Sequence, residues 1–228
     1  MTQFQRCSAD RHWVKATIAR ARYGRRYAEQ RRAMSVFDDH DAIFVHIPKT
    51  GGVSISDALF DTGTVGGHRP ARTYRLIYGD ERYAEMFSFG FVREPVDRLT
   101  SAFRYLSTGG RQHRSDLAVA QQLQPIGSLE EFVLDHLGQP GYETIAHFRP
   151  QADFLCDDDG TVMVDFVGRF ERLAQDFAAV ADRIGVQRSL EQRLNVGPKR
   201  NAAVELSETA RRRIHSYYEA DFELFNYS

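Results

Sequence analysis

The feature that most constrains this chain is a short apolar run cut off by a proline and two glycines. Residues 42–46, Ala-Ile-Phe-Val-His, lack amphipathic periodicity and read as a strand buried on both faces. Pro48, Gly51 and Gly52 then force a turn, and a helix is predicted over 53–60. The unit recurs at Phe87–Val92, which stops at Arg93-Glu94-Pro95, where a proline can open a helix. In that helix Val96, Leu99, Phe103 and Leu106 share one side and Ser101 takes the other. A third strand is predicted over 162–167, leading through Gly168-Arg169-Phe170 into a helix over 171–184 that Gly185 ends. Strands alternating with helices predict an α/β fold with a parallel sheet covered on both faces. Elsewhere, Ser128 with Glu131 makes a capping box for a helix to about Leu137, Gly109-Gly110 begins a loop or lid-like segment, and Ser207 caps a last helix over 208–219.

With 228 residues, 42% hydrophobic and 27% charged, the chain suits one globular domain and excludes disordered and fibrous classes. Its net charge of -1 is unevenly spread, because residues 1–32 carry nine Arg or Lys against Asp10 and Glu29. Residues 1–35 therefore read as a basic helical extension, with Trp13, Tyr23 and Tyr27 as its larger apolar side chains, and residues 36–228 as the functional domain. An Arg-rich solvated helix accounts for the extension better than nucleic-acid or anionic-membrane binding. Ser8 is the only serine before residue 35, which weakens a transit peptide. No apolar run approaches the ~20 residues that cross a bilayer, so the expectation is a soluble, cytoplasmic protein with no nucleic-acid partner. Two cysteines, Cys7 and Cys156, fit a reducing compartment and give no zinc-ligand spacing.

The loop from His46 to Ser54 is built for an anion. Gly51 and Gly52 let backbone N–H groups approach a phosphate, the following helix adds its positive dipole end, and Lys49 supplies a point charge. Thr50 and Ser54 can add hydroxyl donors. In a nucleoside-triphosphatase phosphate loop the lysine follows the glycines, whereas Lys49 precedes them. His46-Ile47-Pro48-Lys49-Thr50-Gly51-Gly52-Val53-Ser54 resembles instead the 5′-phosphosulfate loop of the carbohydrate-type (family 2) sulfotransferases, H-x-P-K-T-G-G-T-S, with Val53 where threonine is usual. A second stretch, from Phe91 to Phe103, is similar to the 3′-phosphate signature of that family, F-V-R-D-P-V-x-R-L-x-S-A-Y. Arg93 there can fork onto a phosphate at a strand's C-terminal end, and Ser101 can complete the contact two helical turns on.

The resemblance spans roughly residues 42–225 and includes Phe166-Val167-Gly168-Arg169-Phe170-Glu171 and Asn195-Val196-Gly197-Pro198-Lys199-Arg200. It implies a P-loop-like three-layer sandwich, the donor 3′-phosphoadenosine 5′-phosphosulfate (PAPS) and no metal. Donor contacts are implied for Lys49, Thr50, Gly51, Gly52, Val53, Ser54, Arg93 and Ser101. Lys199 and Arg200 close over the 3′-phosphate or form a solvated basic turn. Sulfuryl transfer needs in-line geometry and charge neutralisation, for which Lys49 is the natural catalytic group.

The acceptor hydroxyl also needs a general base. His68, in Gly66-Gly67-His68-Arg69, looks like the Gly-His of the 2-O-sulfotransferase branch, His147 resembles a second family segment, and His46 lies in the phosphate loop. The acceptor is expected to be a carbohydrate-like or small hydroxyl compound such as a saccharide or glycolipid, held by the variable segments 107–124 and 139–149. A glycosaminoglycan is disfavoured by the lack of the membrane anchor that Golgi relatives carry. The rivals are a nucleotide kinase and a catalytically silent binding module. Lys49, Arg93 and Ser101 together favour an enzyme, and the sequence does not fix an oligomeric state.

Overall fold

The computed structural model describes residue 24 and residues 26–63, 65–190 and 205–228. Most of the N-terminal extension, and the expectation at Lys199 and Arg200, lie outside these residues. A short helix α1 (Ser35–Asp39) leads into β1 (Ala42–Val45), all four residues of which are buried. Helix α2 (Gly52–Phe60) follows the turn, then α3 (Ala71–Tyr78), α4 (Asp80–Glu85) and β2 (Phe87–Val92). β2 feeds α5 (Pro95–Ser107), whose first turn is capped by the Glu94 carboxylate accepting from the N–H groups of Val96 and Asp97 at 3.0 and 2.6 Å. Proline at the first helical position needs no N–H partner, so the Glu94 side chain serves the two donors that do.

The sheet is three-stranded and parallel in the order β1-β2-β3, flanked by helices, as the alternating pattern predicts. Its third strand differs from the sequence expectation. β3 is Phe166–Arg169, and Val162 instead forms an isolated antiparallel bridge with Cys156. Asp165 explains the shift, because its carboxylate accepts from the Ser88 N–H and hydroxyl at 2.8 Å each and occupies the edge of β2 where the strand would have begun. The helix after β3 opens with a 3-10 turn (Phe170–Arg172) and continues as α9 (Leu173–Ile184), which Gly185 ends in the left-handed region at φ +80°.

Further short elements follow α5 on the way from β2 to β3. The segment expected to be a loop after Gly109-Gly110 contains α6 (Arg114–Leu123). Ser128 caps α7 (Leu129–Glu131), which passes into a π-helical turn over Phe132–His136, and the Glu131 carboxylate reaches back to the Gly127 N–H. α8 (Ala152–Leu155) comes before β3, and after α9 come α10 (Glu208–Tyr217), capped by Ser207, and α11 (Glu219–Leu224). Among the described residues no helix is long and apolar enough to cross a membrane.

Two apolar clusters hold this together. One wraps the sheet, with Phe37, Phe44, Phe89, Phe91, Phe154 and Phe177 fully buried, and the other packs α5 against the π turn and α10 through Leu99, Leu106, Phe132, Phe148, Ile214 and Tyr218. The second contains a buried cation. Arg98 is wholly enclosed, donates to the carbonyls of His147 (3.3 Å) and Arg149, and lies over the Tyr218 ring, whose hydroxyl donates to Phe148 O at 2.7 Å. Three successive carbonyls of segment 147–149 are thus held by side chains from α5 and the end of α10.

Candidate active site

β1 delivers the chain to a turn whose backbone is unusual at two positions. Lys49 is left-handed at φ +69°, a conformation that costs a non-glycine residue about 1–3 kcal/mol unless its surroundings impose it, and Gly51 follows at φ +83°. The Thr50 hydroxyl, wholly buried, donates to Ile47 O at 3.0 Å and locks the turn. Thr50 therefore offers an anion its backbone, not its side chain. Helix α2 begins with no side-chain cap, and its first intrahelical N–H bond runs from Ile55 to Gly51 O. The amides of Gly52, Val53 and Ser54 are left pointing outward with the helix dipole behind them. Gly52 has to be glycine, because a Cβ there would lie 2.0 Å from the His46 ring.

This helix end opens into a cleft of about 680 Å³. One wall includes His46, Lys49, Gly51, Gly52, Val53 and Ser54, and the opposite wall comes from Tyr105 of α5, the segment from Arg111 to Val119, and residues 145–147. Both segments expected to hold an acceptor thus line it. A chain of ring contacts crosses it. The Lys49 ammonium lies 4.1 Å from the Tyr105 ring centroid, Tyr105 stacks on His147 at 5.3 Å, and His147 meets His68 at 5.4 Å and His68 meets His46 at 4.6 Å, both edge-on.

The three histidines differ in chemistry. Burial pushes His46 and His147 down to about 3, each helped by the charge of a neighbouring histidine, so both are neutral. Burial also lowers His68, but a hydrogen bond from its Nδ1 to His46 O, at 3.0 Å, opposes that shift. A carbonyl oxygen only accepts, so Nδ1 carries the proton and Nε2 is left with its lone pair. Lys49 is also lowered, first by burial and then by the charges of Arg93 and Arg111, and the charge of an arriving anion would oppose that shift.

The second motif meets the first at its turn. Arg93, just past the end of β2, reaches Lys49 O with Nη1 at 3.5 Å, pairs loosely with Asp97 at 3.7 Å and lies 4.4 Å over the Phe170 ring. Arg93 and Ser101 are not among the residues lining the cleft, and the half-buried Ser101 hydroxyl makes no hydrogen bond to a described residue. Two strand ends carrying cations therefore converge on one turn. The profile of the sulfotransferase family matches residues 32–228. The chain belongs to the sulfotransferase family. Carbohydrate sulfotransferase 9 from Homo sapiens is 23% identical over 234 aligned residues, which cover 85% of this chain and 52% of that protein. The chain thus spans about half the length of this curated relative, and no solved structure gives a significant match.

Within this sulfotransferase framework, sequence reasoning missed four residues. Tyr105 and Arg111 line the cleft, and Asp116 accepts from the Tyr105 hydroxyl at 3.1 Å and the Arg111 N–H at 3.0 Å, fixing both. Tyr105 falls four residues after Ser101 on α5 and was legible as its neighbour on the same helix face. Gln151 was legible only as the last residue of the family-like segment His147-Phe148-Arg149-Pro150-Gln151, with nothing local to mark its partner.

Proposed function

We propose that the protein is a sulfotransferase that uses PAPS and delivers the sulfuryl group to a hydroxyl of a saccharide-like acceptor. The observation that carries this reading is the approach of Arg93 to the Lys49 carbonyl, which supports one doubly phosphorylated nucleotide being held between the two strand ends. The donors fit that group. The α2 amides of Gly52, Val53 and Ser54, the Lys49 ammonium and the Ser54 hydroxyl suit the 5′-phosphosulfate, and Arg93 with Ser101 suits the 3′-phosphate. The similar human protein is a carbohydrate sulfotransferase, which supports a saccharide acceptor.

PAPS when bound supplies an activated sulfuryl group on a phosphate leaving group. Lys49 holds a positive charge where negative charge grows, an interaction stronger in the transition state than before it. His68 offers Nε2 as the base for the acceptor hydroxyl, while His147 and His46, held near 3, are too weakly basic for that task. The Tyr105 ring beneath the ammonium, and Asp116 beneath Tyr105, hold the lysine side of the cleft in place.

Calorimetry with adenosine 3′,5′-bisphosphate tests the reading. The parent chain should bind, Arg93→Ala should bind at least about tenfold more weakly, a loss of about 1.4 kcal/mol, and Lys49→Ala should lower kcat by about 10²-fold or more. A folded parent chain with no affinity for this nucleotide would overturn it.

A further inference from the structure

We infer that Gln151 is a positioning residue for donor binding, acting through the backbone of Arg93; this rests on the nucleotide reading above. β2 pairs with β1 only as far as Gly90 and with β3 as far as Val92, so Arg93 lies beyond the ladder on both sides. Its peptide groups are nevertheless satisfied. The wholly buried Gln151 accepts from the Arg93 N–H through Oε1 at 2.9 Å and donates from Nε2 to the Arg93 carbonyl at 2.8 Å. The side-chain amide takes the place of a neighbouring strand's peptide group. Its orientation is dictated by the chemistry, since only the oxygen can meet an N–H and only the nitrogen a carbonyl.

Gln151 is itself rigidly held. Its N–H and that of Ala152 donate to the fully buried carboxylate of Asp221, at 2.9 and 2.8 Å, and the carbonyls just before it are held by Arg98 and Tyr218. One residue past Arg93, the Glu94 N–H donates to the Glu171 carboxylate at 2.7 Å, and Glu171 also accepts from the Tyr227 hydroxyl at 3.0 Å. The turn that aims Arg93 is thus clamped from two sides by side chains distant in sequence. A guanidinium on an unfixed turn would spend binding energy on ordering itself, and a fixed one does not.

A double-mutant cycle on nucleotide affinity tests this. In the parent background Gln151→Met, close in volume and unable to pair, should weaken adenosine 3′,5′-bisphosphate binding about tenfold, equal to about 1.4 kcal/mol. In the Arg93→Ala background the same change should weaken it no further, while the melting temperature falls equally in both. Additive losses in the two backgrounds, or an unchanged affinity in Gln151→Met beside a clear loss in Arg93→Ala, would overturn the clamp and leave the nucleotide reading standing. No affinity in the parent would remove both. Gln151→Glu covers the case in which Gln151→Met does not stay folded. Its carboxyl can donate to the Arg93 carbonyl only when protonated, so its affinity relative to the parent should recover as pH falls, and a ratio independent of pH would count against the clamp.

Discussion

His68 is the residue whose protonation should be visible in kinetics. A base works only in its neutral form, and burial lowers the His68 pKa below 6.5, so activity should be complete at neutral pH and lost as pH falls through a midpoint under 6.5. A pH profile of kcat/KM checks this, and His68→Ala should remove the acidic limb together with most of the turnover. Val53 offers a test of the opposite sign. It sits, partly exposed, at the second position of α2 where the family motif carries threonine, and its side chain lines the cleft. Val53→Thr should tighten nucleotide binding by roughly fivefold, the worth of one net hydrogen bond of about 1 kcal/mol, as read by calorimetry.

At the scale of elements, the join between β1 and α2 is the least forgiving. The His46 ring occupies the space a Cβ at Gly52 would need, so Gly52→Ala should force the ring or the helix to move at a cost of about 1–3 kcal/mol. Chemical denaturation checks that cost, and nucleotide affinity should fall with it. This join was legible in the sequence because its signals are local: an apolar run, a proline, two glycines and a helical pattern. β2 with α5 was legible for the same reason. The third strand was misplaced by four residues because a carboxylate from Asp165 competes for the β2 edge, a contact between residues 77 apart that no local pattern records. Helix α6 was missed because Leu117 and most of its other residues are exposed, leaving little apolar periodicity to read. The candidate histidines were individually visible, but their ring-to-ring chain and the tautomer of His68 depend on a carbonyl 22 residues away.

Over the whole molecule, the segment that runs from Phe148 in one apolar cluster to Ala152 in the other is tied down by buried polar side chains. Arg98 carries much of that load, and Arg98→Met would leave the carbonyls of His147 and Arg149 buried without their donor and Asp221 without its cationic neighbour. A loss of roughly 3 kcal/mol is expected, lowering the melting temperature by about 10 °C, as calorimetry of unfolding would register. The segment from His147 to Gln151 lines the cleft at its first residue and holds the Arg93 backbone at its last. On the proposed reading, five residues of chain would therefore serve two substrates at once. If that reading holds, an engineer seeking a new acceptor preference could exchange residues 139–146, whereas a cut carried past 146 would also disturb the turn that carries Arg93, and selection for one would be felt by the other.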